Sequence, residues 1–410
     1  MKWFILSLFL VIAHTLSAQK DFMFRHLTVH DGLTDNEVKC ILKDNNGFLW
    51  CATNKGINRY DGYNVKQYHN TSNNLSLELA IERMLIDADG NIWIDRYGHY
   101  FIYDQTKDQF IDAQPLLNKY QLNHNSEKQN IIIDDNKNIW SYNGKDIKFH
   151  DFEKQKTQTI TQIPNDIRFF FPKGQTLFYI DSKNTLHIQD IHSPKSNTSI
   201  NLSQTFNKGK HLEYKLYVDN SYDIWIYCTN AEGLWLLSKN QYNQWIPTTI
   251  GHTSYLTNNK VISICEDNNH KIWIGLEYDG ISIYDKKNKS HTHISETESD
   301  YSLGSNKVWC FFNDDENTMW VGTMRNGISY YNKDFFAFKK TSMPFIHDIG
   351  CHIEDDENNL WTGTDGGGIF KQSPDGTLTA FNKENNKSFS NKIVCFYKDS
   401  RSEEHTSELQ

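Results

Sequence analysis

The sequence predicts an all-β fold, a seven-bladed β-propeller of four-stranded antiparallel blades, followed by the start of a second propeller. Tryptophan recurs at steps of 43, 47, 85, 48, 47 and 41 residues, and 85 is about twice the others. An Asp precedes each of these tryptophans by six residues. Repetition at this period indicates stacked or circular units, and the absence of long amphipathic patterns disfavours helical solenoids. The seven tryptophans are Trp50, Trp93, Trp140, Trp225, Trp273, Trp320 and Trp361, and their aspartates are Asp44, Asp87, Asp134, Asp219, Asp267, Asp314 and Asp355.

One repeat, around Trp273, shows the expected strands. Alternating apolar runs occupy residues 261–265, 272–274 and 281–284, and Asp, Asn and Gly separate them. This is the pattern of β-hairpins, because these turn residues tolerate the positive φ of tight turns. Residues 289–294 supply a fourth, outer strand, so each repeat predicts one propeller blade.

The repeated Trp and Asp are interpreted as structural residues. A Trp at one blade position packs between neighbouring sheets, and the Asp caps the hairpin turn. The double step between Trp140 and Trp225 contains a degenerate copy around Phe178, which brings the blades from Trp50 to Trp320 to seven. Trp361 and Cys395 then begin the second propeller.

The N-terminal segment predicts export. Residues 1–18 combine a Lys, an apolar run and a small residue before Gln19, which is typical of a cleaved signal peptide; an uncut anchor is the alternative. The expected domains are the first propeller over 22–340 and the first blades of a second over 341–399. The net charge of −9 offers no basic surface for nucleic acid.

The cysteines follow the repeat. Cys40, Cys310 and Cys351 each lie ten residues before a Trp, and Cys395 occupies the same slot. We expect them to be small apolar residues of innermost strands. A disulfide between Cys40 and Cys51 is the alternative.

Residues 401–410 depart from the repeat pattern. A further Trp is due near position 405 and is absent. The segment matches the translation of a DNA adapter used in sequencing libraries, so we expect a gene cut short, with strand pairing that ends near Asp399. A natural C-terminus is the alternative.

The repeat resembles the two-component regulator propeller family. The motif of that family is an apolar strand, Asp-x-x-Gly, an apolar-Trp-apolar-Gly-Thr segment, Gly-apolar and Tyr-Asp. Residues 314–331 and 355–369 match it closely, and residues 24–38 look like its usual start. Units two to five depart from this motif. Asp95 stands where the motif has the Gly after the Trp, and Tyr142 and Tyr227 do not match the motif.

The resemblance implies the periplasmic sensor region of a hybrid histidine kinase. In that family two propellers precede an Ig-like domain, a membrane helix and a kinase, and the receptor is a homodimer anchored in the inner membrane. The implied ligand is a carbohydrate, and the implied output is regulation of its utilisation genes. The kinase parts are absent from these residues, so no catalytic residue is assigned.

Two other functions stay open, a protein-binding scaffold and, less favoured, an exported hydrolase or lyase. The fold permits the scaffold equally well. Nucleophile-elbow and zinc-protease motifs are absent from the sequence. His291 and His293 share a strand face and could bind a metal, but we favour an exposed outer strand, and no metal or cofactor is expected.

A ligand is expected at the end of the propeller that carries the loops after the Trp strands. Sugars bind aromatic faces and bidentate polar groups. The candidates are Arg96, Tyr97, Glu277, Tyr278, Asp279 and Arg325. The alternative is that most of them are solvated turn residues.

Overall fold

The structure is a computed structural model. It describes residues 22–79, 81–122, 130–160, 166–191, 197–205, 213–228, 233–250, 260–336, 348–384, 387, 390–398 and 404–407. The predicted signal peptide lies outside these residues. Two compact units divide the chain, Met1–Ala337 and Phe338–Gln410.

The described part of the first unit forms seven four-stranded antiparallel sheets, and this confirms the predicted propeller. Blades 1 to 3 are β2(Val38–Lys43), β3(Leu49–Thr53), β4(Gly56–Tyr60) and β5(Val65–Tyr68); β6(Ile81–Ile86), β7(Ile92–Arg96), β8(His99–Asp104) and β9(Gln109–Asp112); and β10(Asn130–Ile133), β11(Ile139–Tyr142), β12(Ile147–Asp151) and β13(Lys156–Ile160). Blades 4 to 6 are β14(Ile167–Lys173), β15(Thr176–Asp181), β16(Thr185–Asp190) and β17(Thr198–Asn201); β18(Tyr214–Val218), β19(Ile224–Cys228), β20(Leu234–Lys239) and β21(Trp245–Thr249); and β22(Val261–Glu266), β23(Lys271–Leu276), β24(Ile281–Asp285) and β25(Ser290–Ile294).

Blade 7 closes the ring with strands from both ends of the unit. Its order is β1(Arg25–Leu27), β28(Ile328–Tyr331), β27(Met319–Thr323) and β26(Val308–Asn313). The N-terminal strand β1 is therefore the outer strand of the last blade, where His26 pairs with Ser329. The inner strand β26 packs against both β22 and β2, so blade 7 joins blades 6 and 1.

Helix is scarce in the described residues. It amounts to α1(Gln114–Lys119), α2(Leu202–Thr205) and two short 3-10 segments, Val29–Asp31 and Lys333–Phe336. No helix among the described residues is long and apolar enough to cross a membrane.

The repeated Asp and Trp form one hydrogen-bonded unit. In blade 1, Asp44 Oδ2 accepts the indole N–H of Trp50 at 2.8 Å, while Oδ1 accepts the backbone N–H groups of Asn46 and Phe48. The same Asp–Trp bond, at 2.8–2.9 Å, recurs at all seven positions. One carboxylate thus caps the turn and satisfies the indole, so the two residues are kept together through every tryptophan repeat.

Blade 4 shows what happens without the tryptophan. Phe178 occupies the Trp register, because it pairs with Phe171 as Trp50 pairs with Leu42. Phe has no indole N–H to satisfy, and Pro172, six residues before it, pairs with Leu177 inside β14. The degenerate copy is therefore a complete blade that lost both partners of the hydrogen bond.

The tryptophans pack each blade onto the next, as predicted. The Trp50 ring lies 4.7 Å from the Tyr103 ring of blade 2, and Trp225 lies 5.7 Å from Tyr284 of blade 6. Trp50, Trp93, Trp140 and Trp225 have no exposed surface, and Trp273 has 2%. The burial of these large aromatic surfaces between blades stabilises the packing of the ring.

The described cysteines form no disulfide bond. Cys40, Cys310 and Cys351 all pair across the inner hairpin with the residue two places after the Trp, which confirms their equivalence. Cys40 faces Ala52 rather than Cys51. Successive strand residues point to opposite sides of a sheet, so this register does not direct the two thiols at each other.

The second unit begins with a sheet of the same construction. Its strands are β29(Ile349–Glu354), β30(Leu360–Thr364), β31(Ile369–Gln372) and β32(Leu378–Phe381), followed by a two-stranded sheet of β33(Cys395–Lys398) and β34(Glu404–Ser407). The expectation that strand pairing ends near Asp399 is therefore wrong. Position 405 pairs with Tyr397, the register at which Trp361 pairs with Ile353. An unpaired strand edge offers backbone donors and acceptors to any extended segment, so pairing here does not require the repeat Trp.

Candidate ligand-binding site

The two ends of the propeller carry different connections. In an antiparallel blade, the turn from the first to the second strand lies at one end, and the loop from the second to the third lies at the other. We call these ends the turn face and the loop face. The Asp–Trp units occupy the turn face in six blades of the ring, so that end is committed to the structural repeat.

A cavity of about 460 Å³ lies on the loop face over blades 2 to 4. Its volume is in the range of small-molecule sites. Its walls come from the inner strands and from the loops between second and third strands. The lining residues are Glu82, Arg83, Asp95, Tyr97, Gly98, Asn130, Tyr142, Asn143, Gly144, Ile167, Arg168 and Phe170.

An ion pair lies in the wall of this cavity. Arg83 Nη2 donates to Asp95 Oδ2 and to Asn130 Oδ1, both at 2.7 Å. The Gly98 N–H and the Tyr100 hydroxyl donate to the same carboxylate, at 2.8 and 3.1 Å. The Asp95 side chain is 2% exposed, whereas that of Arg83 is 36% exposed. The buried carboxylate therefore holds a guanidinium that reaches solvent.

Electrostatics keep both Arg83 and Tyr100 protonated. Burial acts to lower the pKa of Arg83, but Tyr100 and Asp95 outweigh it and raise the pKa. Burial also raises the pKa of Tyr100. Its hydroxyl therefore stays protonated and donates to Asp95, while it accepts the N–H of Ile131 at 2.8 Å. Blades 2 and 3 are joined through this polar network.

Other blades place small residues at this register. In each blade the residue two places after the Trp pairs with a residue of the inner strand. These pairs are Ala52 with Cys40 in blade 1, Gly275 with Ser263 in blade 6, and Gly322 with Cys310 in blade 7. A Cβ on Gly322 would lie 2.5 Å from Cys310 Sγ and 2.9 Å from the Val38 carbonyl. Packing therefore enforces the small residue there, whereas blade 2 opens the same place for Asp95 and Arg83.

Blades 3 and 4 contribute the opposite wall. Tyr142, two places after Trp140, pairs with Asn130. Tyr142 is 8% exposed, and the proton of its hydroxyl has no acceptor within the described residues. Burial raises the pKa of this hydroxyl, and the nearby Ile167 N–H lowers it by a smaller amount. Arg168 lies at a β-bulge between Ile167 and Phe169 and is exposed. Bulges re-aim side chains at functional places.

Of the two residues predicted in blade 2, Tyr97 lines the cavity and Arg96 does not. Tyr97 is 54% exposed and lines the cavity, and its hydroxyl donates to the Leu79 carbonyl at 2.9 Å. Arg96 ends β7, and its Nε donates to the Ser76 carbonyl at 3.1 Å. Arg96 is not among the residues that line the cavity.

The predicted residues of blades 6 and 7 lie in loops away from this cavity. Glu277 forms an ion pair with Lys260 at 2.6 Å, and Lys307 Nζ lies 4.9 Å from the Tyr278 ring centre. Asp279 Oδ1 lies 3.6 Å from His293 Nε2, while its Oδ2 is buried without a partner among the described residues. Arg325 is exposed in the β27–β28 loop. These four residues remain predictions.

Sequence reasoning missed Arg83, Asn130, Tyr142 and Arg168. The available signal was the departure from the repeat at Asp95 and Tyr142, where other blades have Ala or Gly. His291 Nδ1 lies 3.2 Å from Ser282 Oγ, and the described residues contain no group of three or more metal-ligating side chains.

Comparison with known proteins identifies the repeat. Residues 32–55, 255–278 and 302–325 match the two component regulator propeller family. Histidine kinase P4 of Formosa agariphila is 40% identical over 68 residues, which are 16% of this chain and 5% of that protein.

Two solved structures share the fold. Both are described as extracellular domains of hybrid two component systems of B. thetaiotaomicron. BT3049 has a TM-score of 0.58 at 21% identity, over 94% of this chain and 52% of that one. BT4673 has a TM-score of 0.56 at 17% identity, over 93% and 51%. The chain thus spans about half the length of these domains. It is a β-propeller protein that contains two component regulator propeller repeats.

Proposed function

We propose that this propeller is the extracytoplasmic ligand-sensing part of a hybrid two-component sensor kinase, and that its ligand is a carbohydrate. The observation that carries the proposal is the loop-face cavity, because it combines an exposed tyrosine ring with a fixed guanidinium and amide groups. Sugars are bound by aromatic faces together with bidentate polar groups. Residues Tyr97, Arg83 and Asn130 offer this combination from two neighbouring blades.

The sensor part of the proposal is supported by the similarity to extracellular domains of hybrid two-component systems and to a histidine kinase. The predicted signal peptide supports a periplasmic location. The kinase, a membrane anchor and a homodimeric receptor belong to the proposed longer protein. A ring of rigid sheets would transmit binding as a shift between whole propellers or protomers.

The test is titration of the full chain with a panel of neutral and acidic oligosaccharides by isothermal calorimetry. We expect Tyr97→Ala to weaken binding of the responding saccharide by roughly tenfold, the loss of one buried aromatic contact. Tyr63→Ala is the matched control, since Tyr63 is 91% exposed in the β4–β5 turn on the turn face. Absence of binding by every saccharide contradicts the proposal, and consumption of the saccharide over time indicates an enzyme instead.

A second pair of substitutions tests the residues of blades 6 and 7. Tyr278→Ala combined with Arg325→Ala should weaken saccharide binding if the ligand also reaches those loops. Both residues are exposed, so little loss of stability is expected. Unchanged affinity in the folded double variant would confine the site to blades 2 to 4.

A further inference from the structure

We infer that the cavity over blades 2 to 4 binds an acidic saccharide, with Arg83 and Arg168 as the ligands of its carboxylate or sulfate group. This inference rests on the proposed function and deepens it, because it names the chemical class of the sugar. The fold leaves hydrogen-bond donors unused in the cavity wall.

Arg83 is held in place while part of its guanidinium stays free. Its Nε and Nη2 groups donate to Asp95, Asn130 and Tyr100. Its Nη1 group makes no hydrogen bond within the described part of the chain, and the side chain reaches solvent in the cavity wall. A guanidinium presents two further N–H donors at that nitrogen, and they are already oriented.

Asp95 does not compete for the ligand. Its Oδ2 accepts from Arg83 and Tyr100, and its Oδ1 accepts the Gly98 N–H. The carboxylate is 2% exposed, so it positions Arg83 from beneath the surface rather than facing the cavity solvent. Anions approaching Arg83 therefore meet its free edge, not its partner.

Arg168 is the second cation, and blade 4 supplies it. It is exposed, it lines the cavity, and it forms no ion pair with a carboxylate in the described residues. The bulge residue of blade 2, Glu82, also lines the cavity, and its negative charge acts to raise the pKa of Arg83. A sugar has hydroxyl groups as well as an acidic group, so Glu82 can accept a hydroxyl while the arginines bind the anion.

A third cation adds to the positive potential around Arg83. The pKa of Lys215, at the pair position of blade 5, is lowered first by burial and then by the charge of Arg83, with Glu213 acting in the opposite direction. Arg83 and Lys215 are therefore close enough to repel each other. Arg83, Arg168 and Lys215 lie here together with the carboxylates Asp95, Glu82 and Glu213, and Asp95 is the one already bound to Arg83.

Tyr142 supplies a neutral donor in blade 3, between Arg83 of blade 2 and Arg168 of blade 4. Its buried hydroxyl has no acceptor for its proton among the described residues, although the Ile167 N–H approaches closely enough to lower its pKa. The residue lines the cavity, so this O–H can donate to a ligand there. A ligand oxygen bound by both arginines could accept this O–H.

The experiment compares trigalacturonic acid with its methyl ester on the full chain by calorimetry, with a sulfated chondroitin disaccharide as a second acidic probe. We expect an acidic probe to bind roughly tenfold to hundredfold more tightly than the ester, the effect of one or two charge-assisted hydrogen bonds. Arg168→Gln should remove this preference and reduce the dependence of affinity on salt. Arg168→Lys should restore part of it, and Lys287→Gln, an exposed cation of the turn face, should change nothing.

The outcomes separate the two proposals. A preference for either acidic probe that disappears in a folded Arg168→Gln variant supports the inference, and the probe preferred identifies carboxylate or sulfate. Equal binding of acid and ester, or a preference that survives Arg168→Gln, overturns the inference while sugar sensing stands. Failure of every saccharide to bind overturns sugar sensing itself.

Discussion

Blades 1, 6 and 7 and blades 2 to 5 use the same register position in opposite ways. In the first group the residue two after the Trp is Ala52, Gly275 or Gly322, packed against a small partner. In the second group it is Asp95, Tyr142, Ile180 or Tyr227. The difference shows that the repeat leaves one half of the ring tightly closed and enlarges the other half, where the cavity lies. Local departures from a packing rule of this kind are expected at functional sites.

The sharpest way to break this comparison is to place the blade 2 residue in blade 7. Gly322→Asp should reduce the free energy of unfolding by about 4 kcal/mol, because the new carboxylate is buried without a guanidinium and collides with Cys310 Sγ. Urea denaturation measures the effect. A loss below about 1 kcal/mol would show that blade 7 can open as blade 2 does.

Within blade 2, removal of Arg83 and removal of Asp95 should lower the free energy of unfolding by different amounts. Arg83→Ser leaves Asp95 buried and without its cation, so we expect a loss of about 3 kcal/mol in the free energy of unfolding. Asp95→Gly leaves Arg83 free to turn toward solvent and should cost less. The double variant reproduces the Ser–Gly pair of blade 6 and should be more stable than Arg83→Ser alone. Equal costs for both single variants would contradict this account.

Blades 3 and 4 permit a smaller test of the Asp–Trp unit. Asp134→Ala leaves the buried indole N–H of Trp140 without an acceptor and should cost about 2 kcal/mol. After Trp140→Phe, which copies Phe178 of blade 4, the same Asp134→Ala change should cost about 1 kcal/mol less. The double-mutant cycle gives the coupling energy, and additive effects would separate the Asp from the Trp.

The smallest effect is expected when the repeat Asp of the second unit, Asp355, is compared with its equivalents in the first unit. Burial raises the pKa of Asp87 and Asp134. Burial acts in the same direction on Asp355, but hydrogen bonds from Trp361 and Asn359 outweigh it and lower the pKa to about 2. Ionised Asp355 therefore stabilises its sheet fully above its ordinary pKa of 3.8, and this stabilisation is lost as the pH falls through about 2.

Hydrogen exchange read by mass spectrometry over residues 349–381 measures this effect. We expect protection, corrected for the intrinsic exchange rate, to fall between pH 4 and 2. Asp355→Asn should remove most of this pH dependence. A variant with the same acid profile as the parent would assign the loss to other groups.

The fold could be predicted from the sequence because its periodic residues are also its packing residues. Trp50 and its equivalents mark every blade but one, and even Phe178 lies in the Trp register. The cavity could be predicted only in part. The position of Tyr97 at the cavity could be predicted from its loop. The contact between Arg83 and Asn130 could not, because it joins neighbouring blades and depends on a strand register that periodicity does not specify. Arg168 depends on a bulge, which adds a residue without changing the pattern.

The outer strand of blade 7 imposes an order in time on this protein. Arg25 to Leu27 are made first, but their partners Ile328 to Tyr330 are made about three hundred residues later. Contacts of such sequence separation form slowly, because a long loop must close before they stabilise anything. Without this pairing blade 7, which joins blades 6 and 1, lacks its outer strand. We therefore expect completion of the ring to be a late step of folding, and a delay there leaves the edge of β28 open to aggregation.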